Sequence, residues 1–381
     1  MGKKREAFIG IDTSKLKNAI AIADGGRGGE IRYVGEIPNT PEATRKLIAK
    51  LTKQYRTLYF CYEAGPTGYG LQRTITEAGH ECMVVAPSLI PTKPGDHVKT
   101  NRRDAIVLAK LLRADELTQV WVPDIDHEAI RDLIRTREAS VRDLRAKRQQ
   151  VMGFLLRQGR IFPGRKTWSK AYMRWLSEQS FEHHAHHLVL QEGINAARDA
   201  EERLTRVEQT IAEMTTNWSL APIVDAIQAM RGIEFVAAVT IIAELGDLSR
   251  FENPRQLMAY LGLVPSESST GDSVRRGSIT KAGNSAARRI LVECAWHYRH
   301  PARIGAAKRA KIALLPKDVT DIAWKAQTRL CRRYRIMTKS GKLPNVAVVA
   351  IAREMAAFIW AIARQVNLMT NTAKTSEAAP C

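Results

Sequence analysis

Two stretches in the middle of the chain restrict its fold more than any other feature. From Ile130, apolar residues recur in alternating steps of four and three: Ile130, Ile134, Val141, Leu144, Val151 and Leu155. A second run carries Leu190, Ile194, Ala197, Leu204, Val207, Ile211 and Met214. Such spacing paints a narrow apolar stripe along a helix, and a long stripe needs another helix to cover it. The pattern predicts two long helices, folded back on each other or paired between subunits. Arg137 and Arg148 occupy seam positions of the first.

The residues before and after follow other rules. Up to about residue 125, strand and helix signals alternate. "AFIGID" ends at Asp12, "NAIAIAD" and "IRYVGEI" read as antiparallel partners, and "TPEATRKLIAKLTKQ" has helical spacing opened by Thr40 or Pro41. "LYFCYE" ends at Glu63, "PTGYGLQRTITEAG" is a helix stopped by Gly79, and "ECMVVAP" is a further strand. "RRDAIVLAKLLRA" is a helix beginning near Arg102. This order predicts a three-layer α/β domain. Beyond "NWSLAPIV" the signals are helical, with a Gly232 turn of helix-hairpin-helix type. The expected class is α/β plus all-α, divided as 1–125, 126–218 and 219–368, with a polar, disordered tail over 369–381.

Charge narrows the partner. The 381 residues carry a formal net charge of +20. A surplus of that size points to a polyanion, and nucleic acid is the commonest; a basic protein with no such partner is the plainer alternative. The basic residues of "RTREASVRDLRAKRQQ" are either a solvated helix face or a stripe toward nucleic acid. Five widely spaced cysteines without a CxxC pair fit reduced cytosol rather than disulfides or zinc. The basic start "MGKKREAFIGID" has too short an apolar run for a signal peptide. "NVAVVAIAREMAAFIWAIAR", broken by Arg353 and Glu354, is expected to be a buried helix rather than a membrane span. A cytoplasmic protein without membrane contact is expected.

Two groups of residues can carry chemistry. Asp12 and Glu63 each end a strand and Asp104 opens a helix. Carboxylates converging from such places hold Mg²⁺ or Mn²⁺, which take oxygen ligands, and paired ions can clamp both oxygens of a phosphodiester exchange. Any one of these acids alone is more simply a turn residue. The second group is "SSTG", with Ser268, Ser269 and Thr270 before a glycine, then Arg275, Arg276 and Lys281. A hydroxyl is a poor nucleophile until activated. Nearby cations and a helix N-terminus favour phosphate. On chemistry alone, a serine-rich loop that only grips phosphate is the simpler reading. In the following helix, Ile290, Leu291, Cys294 and Ala295 are expected to face the core, leaving Arg288 and Arg289 outward to nucleic acid. "CRRYR" at 331–335 and "KRAK" at 308–311 look like further phosphate contacts. His183 and His187 have the spacing of a zinc pair but no companion ligands, and read as surface residues or nucleic-acid contacts.

Taken together, "IGIDTSK", "YEAGPTGYG", "VKTNRRDAIVLAKLLR" and "YLGLVPSESSTG…RRGSITKAGN…ARRILVECAW" resemble the DEDD-type insertion-sequence transposases over nearly the whole chain. Relatives of that family are recombinases guided by a structured, noncoding bridge RNA. The resemblance implies a RuvC-like (RNase-H-like) first domain, a coiled-coil connector and a helical transposase domain. It implies that Asp12, Glu63 and Asp104 bind Mg²⁺ and that a serine attacks DNA to give a covalent phosphoserine. It also implies a homo-oligomer, dimer or tetramer, in which acids of one subunit work with the serine of another. Two positions depart from the family. Asn101 stands where its third acid is expected, and an amide donates an oxygen without charge. Thr270 stands at the family's serine position, with Ser269 one residue before it. Two other functions stay open: a Holliday-junction-type endonuclease, needing the acids but no serine, and a non-catalytic nucleic-acid-binding relative.

Overall fold

Residues 19–23 alternate alanine and isoleucine. Successive side chains of a strand face opposite ways, so this segment has one small face and one large one. The computed structural model describes residues 4–91, 100–270 and 273–377, except the side chains of 307 and 370–377. It covers both faces. Strand β1 (Lys4–Thr13) pairs antiparallel with β2 (Lys17–Asp24), and β2 antiparallel with β3 (Ile31–Pro38). Helix α1 (Pro41–Thr52) starts at a Thr40 cap whose hydroxyl accepts from the Ala43 amide. Strand β4 (Tyr55–Glu63) then returns parallel to β1. After α2 (Gly70–Glu77), β5 (Glu81–Val85) pairs parallel with β4, giving the order β3-β2-β1-β4-β5.

The large face (Ile9, Ile11, Ile20, Ile22, Phe60, Tyr62) packs on Leu47, Ile48 and Leu51 of α1 and Ile75 of α2. The small face (Ala19, Ala21, Ala23) meets Ala105 and Ala109 of α3 (Asn101–Arg113). Small residues on both sides let the helix axis approach the sheet closely. Gly10 lies at the tightest point, where an added Cβ would overlap the backbone of Ala105 and Ala109. The three layers match the sequence reading. On this first unit, which ends at Val122, the buried Asp24 carboxylate accepts from Arg32 at 3.1 Å and from the Tyr55 hydroxyl at 2.6 Å.

The second unit begins at Pro123. Helix α4 (Ile125–Arg157) and, beyond α5 (Lys170–Ser177), helix α6 (His184–Thr215) pack antiparallel within the chain. The charges on the α4 seam have partners across it: Arg137 reaches Glu208 at 2.6 Å and Arg148 reaches Glu201 at 2.7 Å. Val151, Phe154 and Leu155 close the far end against Tyr172, Leu176, Leu190 and Ile194.

The remaining core is helical. It is built from α7 (Ala221–Ile227), α8 (Phe235–Leu245), α9 (Pro254–Tyr260), α10 (Ser285–Ala295), α11 (Ala306–Ile312), α12 (Lys317–Lys339) and α13 (Pro344–Glu377). A hairpin of β6 (Pro265–Glu267) and β7 (Arg276–Ile279) interrupts it. Gly232 makes the turn between α7 and α8. Helix α13 is the spine: Val348, Ile351, Met355, Ile359 and Ile362 are buried, and the helix touches α7, α9, α10 and α12. By length and composition α13 is apolar enough to cross a bilayer, yet half of that stretch is buried in this protein's own core. The carboxylate within it is compensated, since Glu354 pairs with Arg329 at 2.9 Å and Arg333 at 2.8 Å. The helix continues past residue 369 to Glu377, where the sequence leads one to expect disorder; that segment holds no glycine or proline to stop it. Residues 378–381, with Cys381, lie outside the described ones. The other four cysteines are buried and free.

Candidate active site

The first group of candidate residues is placed by sheet register. Ile11 of β1 pairs in parallel with Tyr62 of β4, and the next residue on each strand is Asp12 and Glu63. Asp12 pairs with Ala19 on its other side, and Ala19 is on the face covered by α3. Glu63 lies two residues beyond Cys61, whose thiol donates to the Leu108 carbonyl of α3 at 3.6 Å. The two carboxylates are therefore level neighbours on one face, at the carboxyl ends of parallel strands, and both are half-buried. Helix α3 runs back over that face: its middle, Ala105 to Ala109, lies over Gly10, while Arg113 at its end donates to the carbonyls of Asp24 and Gly29. Its first turn, capped by the Thr100 hydroxyl, thus brings Asp104 and Asn101 to the same end of the sheet. Lys99, just before it, lies outside the described residues.

Two residues not singled out from sequence support this edge. The hydroxyls of Thr13 and Thr67 are 3.2 Å apart, and the Tyr62 hydroxyl donates to the Gly68 carbonyl at 2.9 Å. These bonds tie the loop after β4 to the end of β1, next to the carboxylates. Only the strand register reveals Thr67 as a neighbour of Thr13. Carboxylate and amide oxygens are the donor set that suits Mg²⁺ or Mn²⁺. As the side chains stand, among the described residues, no group of three or more His, Cys, Asp or Glu residues is placed to hold an ion together. The structure joins Asp12 with Glu63 in register and adds Asp104 from the helix, without closing the three into one cluster.

The hydroxyl group lies in the second unit, on the β6–β7 hairpin. Ser268 donates its amide to the Arg275 carbonyl, and Thr270 and Ser273 exchange backbone bonds of 3.1 and 3.2 Å. Gly271, the glycine expected to give access, lies outside the described residues. The hairpin base is closed by the turn at Gly283, which has φ +67 and leaves no room for a Cβ against the Tyr260 carbonyl. Ser269, Thr270, Arg275, Arg276 and Lys281 are all exposed. Arg276 faces Glu267 at 3.5 Å.

A buried network anchors this hairpin. Asn284 caps α10 by accepting from the Ala287 amide, and its own amide donates to Glu244 at 2.6 Å. Glu244 also accepts two bonds from Arg135 of α4, at 2.9 and 3.1 Å. Burial alone would raise the Glu244 carboxyl, but the bonds from Arg135 and Asn284 outweigh it and hold the carboxyl below its ordinary range. Beside it, the buried His127 ring donates Nε2–H to the Ala243 carbonyl at 2.9 Å. Desolvation pushes that imidazole below its ordinary value.

Several cations expected to face nucleic acid are occupied inside the protein. Arg288 donates to the carbonyls of Leu261 and Ala282, at 2.9 and 2.7 Å, and so staples the two ends of the hairpin segment. Arg289 pairs with Glu138 at 2.8 Å and Glu293 at 3.0 Å. Lys308 donates to the carbonyls of Met230 and Ile233 behind the Gly232 turn. Helical spacing gave their direction but not the carbonyls and acids that neighbouring elements bring to them. His183 caps α6 through Nδ1 and His187 accepts from the Phe181 amide, so both serve the local fold.

Comparison with known proteins accounts for this pairing of features. Residues 9–159 match the DEDD-type IS110 transposase family, and residues 224–308 match the family described as Transposase IS116/IS110/IS902. The chain is 56% identical to the putative transposase y4qE of Sinorhizobium fredii over 96% of this chain and 91% of that one. It is 30% identical to the transposase for insertion sequence element IS1533 of Leptospira borgpetersenii, over 87% and 96% of the two chains. The transposase for insertion sequence element IS1111A of Coxiella burnetii is 24% identical over 76% and 73%. These matches make the protein an insertion-sequence transposase, a DNA recombinase. Within that class, the chain belongs to the IS116/IS110/IS902 family.

Proposed function

We propose that this transposase cuts and rejoins DNA strands at a composite site, in which the carboxylate edge of the first unit acts with a hairpin hydroxyl of the second. The observation that carries this reading is the strand register that sets Asp12 level with Glu63 beneath the first turn of α3. The strand order and the helix laid over the small face support assigning the first unit to the RuvC-like (RNase-H-like) class, joined by the α4–α6 connector as a coiled coil to the transposase domain. Asp12, Glu63 and Asp104, with the Asn101 amide oxygen, are the residues that would hold Mg²⁺. Bound there, the ion supplies positive charge to the phosphodiester oxygens.

The chain's own groups do the rest. The hydroxyl of Ser269 or Thr270 attacks phosphorus, and the exposed Arg275, Arg276 and Lys281 bind the phosphate oxygens. The net charge of +20 fits two DNA duplexes together with a noncoding guide RNA that pairs with them. Acids and hydroxyl come from different subunits of a homo-oligomer.

The test is a covalent protein–DNA adduct on denaturing gels, made with DNA of the element's own ends. Asp12→Ala, Glu63→Ala and Asp104→Ala should each lower recombination by at least about 10²-fold while nucleic-acid binding persists. Loss of binding instead would make the acids structural. Strand cleavage by hydrolysis with no adduct in the parent protein would favour a junction-type endonuclease.

A further inference from the structure

The hairpin distinguishes among its hydroxyls. Ser269 Oγ donates to Glu267 Oε1 at 2.9 Å. Glu267 ends β6 and Ser269 lies just beyond it, and this bond holds the two side chains together. Thr270 is held through its backbone, in its bridge with Ser273. The second oxygen of Glu267, Oε2, faces Arg276 Nε at 3.5 Å, and Arg276 is the cross-strand partner of Glu267 in the ladder. A serine hydroxyl, a carboxylate and a guanidinium thus stand in line on an exposed surface.

We propose that Glu267 is the general base that activates Ser269, and that Ser269 rather than Thr270 is the nucleophile. This rests on the reading above, in which a hairpin hydroxyl attacks DNA. As the bond from Oγ to phosphorus forms, the hydroxyl proton passes to Glu267 Oε1. The bond from phosphorus to the bridging oxygen of the leaving strand breaks, and the electron pair stays on that oxygen, which takes a proton from water. Rejoining reverses the order: a strand hydroxyl attacks phosphorus and gives its proton to water, the bond from phosphorus to Oγ breaks, and Glu267 returns the proton to Oγ. Arg276 is a positioning residue in this scheme. It holds the far oxygen of Glu267, so that the near one stays on Ser269. General bases placed in this way contribute about 10²–10⁴-fold.

The experiment measures single-turnover adduct formation by the full-length protein with its co-expressed flanking RNA and element-end DNA, across roughly pH 6 to 9. Nucleic-acid binding and thermal unfolding are followed in parallel. Glu267→Gln should slow the adduct by on the order of 10²-fold or more near neutrality without weakening binding. Its residual rate should climb about tenfold per pH unit, because hydroxide must then take the proton. Glu267→Asp should recover part of the rate. Ser269→Ala should give no adduct, and Thr270→Ala should keep it. If Ser269→Ala abolishes the adduct while Glu267→Gln stays within about threefold of the parent with the same pH profile, Glu267 is not the base, although the hydroxyl reading stands. An adduct that survives Ser269→Ala and vanishes in Thr270→Ala overturns both assignments made here. An adduct that survives both substitutions overturns the hairpin reading itself.

Discussion

At Gly10 the sheet and helix α3 are so close that no side chain fits between them. Gly10→Ala must therefore push the helix away, which costs about 1–3 kcal/mol as overpacking does elsewhere. Denaturant midpoints should show that loss. Because α3 carries Asp104 and Asn101, recombination should fall further than the stability loss explains. Residues of this kind differ in how far sequence betrays them. The strand-end positions of Asp12 and Glu63 were legible because each closes a short, mostly apolar run. Asp104 was legible from the helix it opens. Glu267 was not, because its relation to Ser269 exists only once the hairpin register is set, and nothing in "PSESSTG" announces a hairpin. Arg288 misled for a related reason: its guanidinium lies on the outer side of α10, but the hairpin segment folds over it and supplies the carbonyls of Leu261 and Ala282.

Among elements, the contact of α4 with α8 and the hairpin base depends on protons. Desolvation beside Trp218 lowers the imidazole of His127 from its ordinary 6.5, despite the bond to Ala243. The unfolded chain takes that proton at a higher pH than the folded one. Stability from this group is therefore complete above 6.5 and drains away as pH falls from there to the depressed folded value. Glu244, held below 4.5, adds a second loss at still lower pH. The melting temperature should decline as pH is taken from about 7 to about 5, and His127→Gln should flatten that slope. An unchanged slope in the variant would assign the decline to other groups. The two long helices themselves were plain in the four-and-three spacing. Which helix pairs with which was not, since the stripe alone fits partners within or between subunits. The ion pairs Arg137–Glu208 and Arg148–Glu201 join α4 to α6 of the same chain.

At the level of the whole molecule, charge dominates. With +20 formal charges, nucleic-acid affinity should fall steeply and linearly on a log–log salt plot. A protein making about 6–10 phosphate contacts loses roughly 10³–10⁵ in affinity between 50 and 200 mM salt. A flat plot would mean that the surplus charge does not contact phosphate. A boundary near residue 125 was legible from the change of periodicity, and the contacts divide the chain at Val122 and Pro123; they keep 126–218 and 219–368, which the sequence reading separates, in one unit.

Helix α13 bears on how the molecule comes into being. The ribosome delivers residues 344–366 after every other part of the core they fill, and α7, α9, α10 and α12 have no apolar partner on that side until they arrive. Domains fold as units during synthesis, the earlier ones first. The sheet-bearing unit can mature while its sequel is still being translated, but the β6–β7 hairpin rests on a scaffold that residues 344–366 complete. A gene copy interrupted between Ile279 and Pro344 would yield a polypeptide with its sheet in order and no ordered platform for the β6–β7 hairpin.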